Sequence, residues 1–395
     1  MLDRLLRAGG ARKGNKVFET LQGGKDKQLL AATLVLMAVG LLMVYTSSAG
    51  LGAARYQGDL YYYFRNQAAR IVLAFVAMVA AMNFDYHKLQ RIAPWLLLFA
   101  YGALVFVLLP GVGREVRGAK SWSNLLPVQP SELARLAMVL YLCVFMAKRP
   151  DTQSFRKCIV PCFAIILVAA GLVLLQPDLG SAAVIVLIGL VLVYAAGAKL
   201  RHLSYLVGVG AAALIVCMLR NPYQIKRLLG FFGEGASYQV NQSLISLGTG
   251  GFAGTGLGGS MQKYLFLPDP HTDFVFSIFG EETGFIGTVL LISLFVFFLL
   301  RGLKIAARAP DRFGLLLALG MVVSIGAFFA VNIGVVTGLL PTTGLPLPFI
   351  SYGGSALLVN AVSVGVLLNI SGHRGSEGGS IVMGRSMRHT IRLTE

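Results

Sequence analysis

Ten long apolar runs, near 28–48, 66–83, 93–110, 131–147, 158–176, 180–197, 203–219, 273–300, 314–337 and 351–370, leave this chain few ways to fold. Each is long enough to cross a bilayer as a helix. They are too long and too evenly apolar for barrel strands, and a helix is the other structure that satisfies its own backbone inside lipid. The expectation is an all-α polytopic membrane protein with about ten transmembrane helices. Composition agrees: 56% of the 395 residues are hydrophobic and 13% are charged, about half the charged share of an ordinary soluble domain.

The net charge of +17 would suit a nucleic-acid binder, but the positions of the charges decide otherwise. With the amino terminus in the cytoplasm, 23 of the 34 Lys and Arg residues fall on that side, 9 fall in outward loops, and Arg70 and Arg135 lie within spans. That asymmetry follows the positive-inside rule with both termini cytoplasmic. The basic excess then reads as a topology signal and a contact with anionic lipid, not as a nucleic-acid site. The expected organisation is a basic tail over 1–27, a membrane domain over 28–370 with a long external loop at 220–272 between helices seven and eight, and a second basic tail over 371–395. The first run is too long for a cleaved signal and lies behind basic residues, so it reads as an anchor. Cys143, Cys158, Cys162 and Cys217 fall in or at the ends of spans, as buried hydrophobes and not as a disulfide framework.

Polar residues gather in the outward segments. Tyr61, Tyr62 and Tyr63 fit an interfacial belt better than a ligand site. The loop 111–136 holds Arg114, Arg117, Lys120 and Trp122 before a Gln-Pro-Ser-Glu helix entry. There Ser131 is expected to cap the helix, with Glu132 in the first turn and Arg135 three residues on. Glu132 and Arg135 either pair with each other or line a site. The three loop cations have only Glu115 beside them, so an external anion is a reasonable partner. Gln176, Pro177 and Asp178 make a tight turn in which Asp178 reads as a cap.

The long loop 220–272 exceeds what a connector needs. An amphipathic surface helix is expected around 223–232, with Lys226 and Arg227 toward the headgroups. The glycine run 248–259 is no phosphate loop, because no strand precedes it and no Gly-Lys-Ser/Thr ends it. It suits close approach of backbone to a substrate or to helices. Lys263 follows, and then Asp273, Glu281 and Glu282 near the head of the eighth span, where acids are costly and usually functional. The segment 335–358 carries prolines and glycines without a charge, as a re-entrant or rigid wall would.

This pattern places the working site at the external face, without nucleotide. A lipid-linked diphosphate would suit cations beside an apolar channel. Its leaving group is already a stable anion, so attack at the adjacent sugar carbon needs one base for the incoming hydroxyl and positive charge for the diphosphate. Asp273 is the best base. Glu281 lies about 12 Å further along the helix, beyond the roughly 6.5–9.5 Å of paired glycosidase acids. Glu281 and Glu282 point about 100° apart, and burial against a cation such as Arg135 would account for them equally well.

The segments GAKSW with QPSE, QPDLG, LPDPHTDFVFSIFGEE and GLPLPFISYGG, in this order, resemble the SEDS family of polytopic peptidoglycan glycosyltransferases across nearly the whole membrane region. The loop GVGREVRGAKSW is more similar to the division-type branch, FtsW, than to the elongation-type RodA. The resemblance implies a polymerase that joins lipid II into glycan strands at the outer face of the cytoplasmic (inner) membrane. It also implies release of undecaprenyl diphosphate, a class B penicillin-binding transpeptidase as partner, and contact with other division or elongation proteins.

On the matching motifs Asp273 becomes the catalytic aspartate. Arg114, Lys120, Trp122, Gln129, Glu132, Arg135, Gln176, Asp178, Lys263, His271, Thr272, Glu281 and Ser351 stand at or beside positions that would line the site. Arg135 stands where many relatives have Lys, and Thr283 where Leu is usual. No cofactor follows beyond a divalent cation, Mg or Mn, that could accompany the diphosphate. The competing readings are a lipid II flippase and a non-catalytic division scaffold. Transport would place polar residues through the midplane, whereas here they cluster outside.

Overall fold

The structure is a computed structural model that describes residues 24–116, 119–123, 128–149, 154–220, 238–263, 267 and 271–373. All ten apolar runs are helices in it. They are α1 (Lys27–Arg55), α2 (Tyr62–Asn83), α3 (Tyr86–Leu108), α4 (Pro130–Ala147), α5 (Val160–Leu174), α6 (Leu179–Ala195), α7 (Leu200–Arg220), α9 (Val275–Ala307), α10 (Arg312–Val336) and α11 (Gly354–Gly372). A short helix, α8 (Tyr238–Thr249), lies within the long loop. Among the described residues eight helices are long and apolar enough to cross a membrane, α5 being counted with its wide entry turn Phe155–Ile159, and α6 is a shorter apolar helix. Between α3 and α4 a small antiparallel hairpin pairs β1 (Gly113–Val116) with β2 (Ala119–Ser123), Arg114 standing opposite Trp122.

The connections sort into two ends. At one end Asp26 N–H donates to Ser371 Oγ at 3.0 Å, and Tyr86 N–H donates to Asn369 Oδ1 at 3.0 Å. His87 also bridges Asp85 and Asp311 there, at 2.9 and 2.7 Å. The first and last described helices therefore end side by side. The opposite end collects the α1–α2 turn, the hairpin, the α5–α6 turn, residues 271–274 and the segment 337–353.

Close packing comes from small residues. α11 lies against α2, and a Cβ on Gly365 would run into the Met78 carbonyl, so glycine lets the two backbones touch. Without a hydrophobic drive between helices in lipid, such contact is a main source of association. Cys143, Cys158 and Cys162 are buried, as expected, and the Cys217 side chain lies outside what the structure describes. The charge-free segment before α11 is irregular yet buried in protein through Leu345, Leu347, Phe349 and Ile350, a setting in which irregular backbone is tolerated at membrane depth.

The α9 helix is two pieces. Gly284 has φ 67° and breaks it after its first nine residues, leaving about 23 residues, close to 35 Å, for the span. The break frees backbone groups, and the glycine run satisfies them. Thr255 and Gly256 N–H donate to the Glu281 and Glu282 carbonyls at 2.9 and 3.0 Å. Phe285 and Ile286 N–H donate to the Gly251 and Phe252 carbonyls at 2.9 and 3.2 Å. Of the two roles open to these glycines, close approach to a helix is the one seen. The expected surface helix at 223–232, with Lys226 and Arg227, lies outside the described residues, as do Arg117 and the tails.

Candidate active site

Asp273 sits in the turn 271–274, two residues ahead of α9, so it precedes the helix that was expected to begin with it. It is half-buried, and a Cβ on Gly344 would lie 3.7 Å from its Oδ2. Its backbone is clamped: Asn332 Nδ2 on α10 donates to both the Asp273 and the Leu345 carbonyls at 2.8 Å. The neighbours are fixed in the same way. Ser351 Oγ donates to the Thr272 carbonyl at 2.6 Å and accepts from Leu347 N–H at 2.8 Å. Tyr352 N–H donates to the His271 carbonyl at 2.9 Å. The 271–273 and 344–352 motifs thus form one rigid unit. A base is useful only if it is held in place.

His271 is 5% exposed and packs between Tyr63 and Tyr352, with ring centroids at 4.9 and 5.4 Å. Tyr63 is therefore no interfacial residue, although Tyr61 is exposed and stacks on Tyr45. Tyr56 stacks on Tyr62 at 3.6 Å. Its phenol is pushed up to about 12, first by the hydrogen bond with Tyr62 and then by burial.

Glu132 and Arg135 pair with each other at 2.5 Å, both almost fully buried. Arg135 also donates to Ser324 Oγ, donates to Asn360 Oδ1 at 3.1 Å, and lies over the Phe328 ring at 4.3 Å. A planar fork can serve three acceptors and a ring together in a way an ammonium cannot, which accounts for arginine here. Neither Glu281 nor Glu282 meets Arg135. The Glu281 carboxylate accepts from Ser246 Oγ at 2.9 Å, Ser260 Oγ at 2.6 Å and Met261 N–H at 2.9 Å. Lys263 lies 3.8 Å from Glu282 and donates to the Gly258 carbonyl, so it is engaged inside the glycine belt. α8, unforeseen from the sequence, supplies Ser246 and also Ser243, whose hydroxyl meets Ser277 Oγ at 2.7 Å.

The helix entry at α4 differs from expectation. Gln129 is the residue before the helix, its N–H donating to Ser355 Oγ at 2.9 Å, and Pro130 opens the first turn. Ser131 is inside that turn and its buried hydroxyl has no partner among the described residues, so it is not the cap. A proline at the first helical position had already fixed that boundary. Asp178 does cap α6, accepting from Ser181 N–H at 3.0 Å and Ser181 Oγ at 2.6 Å. Gln176 is buried and donates to the Leu104 carbonyl at 3.0 Å. Arg114, Lys120 and Trp122 are placed by the hairpin backbone, and their side chains lie outside what the structure describes.

Sequence reasoning missed Arg70, Gln67 and Asn332. Arg70 had been counted only as a charge within a span, whereas its guanidinium lies over the Tyr352 ring at 4.3 Å. Among the described residues no three His, Cys, Asp or Glu side chains converge in a way that could hold a metal ion. An Mg-type ion here would take most of its ligands from a substrate's phosphates and water, as such ions commonly do.

Residues 27–376 match a family model described as cell cycle protein, FtsW/RodA/SpoVE. Stage V sporulation protein E of Bacillus subtilis is 39% identical over 360 residues, covering 89% of this chain and 98% of the relative. A probable peptidoglycan glycosyltransferase FtsW from Geobacter sp. is 38% identical over 359 residues, covering 88% and 97%. Among solved structures, a chain of a peptidoglycan synthase complex that coordinates polymerization and crosslinking superposes with TM-score 0.72 at 30% identity, covering 89% of this chain and 99% of that one. The rod shape determining protein RodA of Thermus thermophilus superposes with TM-score 0.66 at 29% identity, covering 89% and 98%.

Proposed function

The chain belongs to the FtsW/RodA/SpoVE family of cell cycle proteins, and from that premise we propose how its geometry serves a peptidoglycan glycosyltransferase that polymerises lipid II into glycan strands during division. The observation that carries the mechanism is the half-buried carboxylate of Asp273, on a backbone held by Asn332, at the end of the bundle where the motifs meet.

In this mechanism Asp273 accepts the proton of the C4 hydroxyl of the acceptor lipid II. The hydroxyl oxygen attacks the anomeric carbon of the lipid-linked donor chain, and the bond to the diphosphate breaks with inversion. The leaving diphosphate keeps the electron pair and needs no proton, so a single base suffices. Positive charge placed where the diphosphate departs lowers the barrier. Arg114, Lys120, Lys226 and Arg227 are the candidates for that charge from the loops. Lys263 is a weaker one because Glu282 and the Gly258 carbonyl already engage it. A divalent ion bound to the diphosphate would add to the same effect.

The charge asymmetry of the loops supports placing the Asp273 end outside the inner membrane, with the chain ends and ten spans arranged accordingly. A partner that crosslinks the product is supported by the peptidoglycan synthase complex that the fold matches. Incubation of the chain and its transpeptidase partner with purified lipid II tests the reaction. Expected are a polymer that a muramidase cleaves and undecaprenyl diphosphate released in step with it. Lipid II that crosses vesicles without forming polymer would overturn this reading in favour of transport.

A further inference from the structure

Asn332 is 1% exposed and stands on α10 about one turn before that helix stops at Val336. Both hydrogens of its amide go to backbone carbonyls, those of Asp273 and Leu345, each at 2.8 Å. Two carbonyl oxygens can be met only by the NH2 end of an amide, so the neighbours fix which way the side chain points. The oxygen at the other end, Oδ1, is buried and has no partner among the described residues. An unmet buried acceptor opposes folding, so stability alone does not account for an asparagine here.

The two carbonyls belong to segments that face each other across the base. Gly344, with φ 76°, turns the chain just ahead of Leu345, and a Cβ on it would lie 3.7 Å from Asp273 Oδ2. One amide therefore sets both the residue that carries the carboxylate and the wall against which that carboxylate stands. Other ties in this unit hold the neighbours of Asp273: Ser351 Oγ donates to the Thr272 carbonyl and Tyr352 N–H to the His271 carbonyl. The support beneath Asn332 is itself anchored. Eight residues earlier, about 12 Å down the axis, Ser324 of the same helix accepts from Arg135 of the buried Glu132–Arg135 pair.

We propose that Asn332 is a positioning residue of the polymerase, one that reaches no substrate and acts by fixing the Asp273 carboxylate against the Gly344 wall. This rests on the polymerase reading above, with Asp273 as its base. Proton transfer depends on the separation of base and hydroxyl, and a misplacement of about 1 Å can cost roughly a hundredfold in rate. An untied Asp273 turn should therefore lower turnover while the groups that hold lipid II stay where they are.

The test replaces Asn332 by leucine in the full chain with its transpeptidase partner. Asn332→Leu keeps the volume, removes both donors and removes the unmet Oδ1 as well, so the fold is expected to survive. Its kcat for lipid II polymerisation should fall roughly ten- to hundredfold with KM within about twofold of wild type, as for a contribution made only in the transition state. Asn332→Gln, which keeps the donors on a longer arm, should recover part of the loss. Ile325→Ala, a buried change about two turns away on the same helix, is the control for lost stability and should lower the melting temperature with kcat unchanged. Carbodiimide labelling of Asp273, read by mass spectrometry, reports on the turn without any turnover. It should rise severalfold in Asn332→Leu and stay at the wild-type level in Ile325→Ala. Wild-type kcat or unchanged Asp273 labelling in Asn332→Leu would overturn the positioning role, as would an equal loss of kcat in Ile325→Ala. No polymer from the wild type would count against the polymerase reading alone, because the labelling tests the tie between Asn332 and Asp273 by itself.

Discussion

At the scale of single residues, the buried charges of this protein are organised by what each would cost if left alone. The Glu132–Arg135 pair is almost fully buried, and Arg135 adds Ser324, Asn360 and the Phe328 ring to its partners. Arg135→Ala would leave Glu132 uncompensated and should destabilise the fold by about 3–5 kcal/mol. Arg135→Lys keeps the charge and loses the fork, so its cost should be smaller but measurable. Thermal unfolding in detergent checks this order, and equal losses for the two variants would contradict it by showing that the fork, and not the charge, is what the pair needs. Glu281 illustrates the opposite solution. Its carboxylate is satisfied by two hydroxyls and a backbone N–H in place of a cation.

At the scale of elements, the Gly284 break decides where the acids go. It turns the first nine residues of α9 away from the span and opens four backbone groups that the glycine run 250–256 fills. A Cβ at Gly284 would meet the Phe252 carbonyl at 2.6 Å, and the φ of 67° is strained for any other residue. Gly284→Ala should therefore cost about 1–3 kcal/mol and loosen the belt around Lys263 and Glu282. A drop in melting temperature together with faster proteolysis within 250–263 is the expected result, and an unchanged melting temperature would contradict it. Most elements were legible in the sequence, because an apolar run of spanning length in lipid has one available conformation. The break was not, since a glycine within an apolar run gives no sign that a distant segment will complete its hydrogen bonds. Nor was α8, whose Ser243 and Ser246 read as loop residues until α9 gives them partners. At the site, Asp273, His271, Thr272 and Ser351 were legible as motifs. Arg70 was not, because nothing in its local sequence announces that Tyr352, more than 250 residues away, lies beneath it.

At the scale of the molecule, the two ends of the bundle do different work. One end fastens the chain: Asp26 pairs with Arg301 and binds Ser371, while His87 joins Asp85 to Asp311. The other gathers motifs far apart in the chain around Asp273, with α10 and the segment before α11 holding that residue through Asn332. Motifs gathered around one carboxylate at one end and fastening at the other fit an enzyme that works at one membrane face, and fit a transporter with its polar residues along the midplane less well. The central claim is that Asp273 is the base of a glycan polymerase. The most direct measurement is glycan-chain formation from purified lipid II by the chain with its transpeptidase partner, set beside the same pair carrying Asp273→Ala. The account predicts polymer from the first and none from the second, with the two complexes assembling and melting alike. Polymer from Asp273→Ala at the wild-type rate would contradict it.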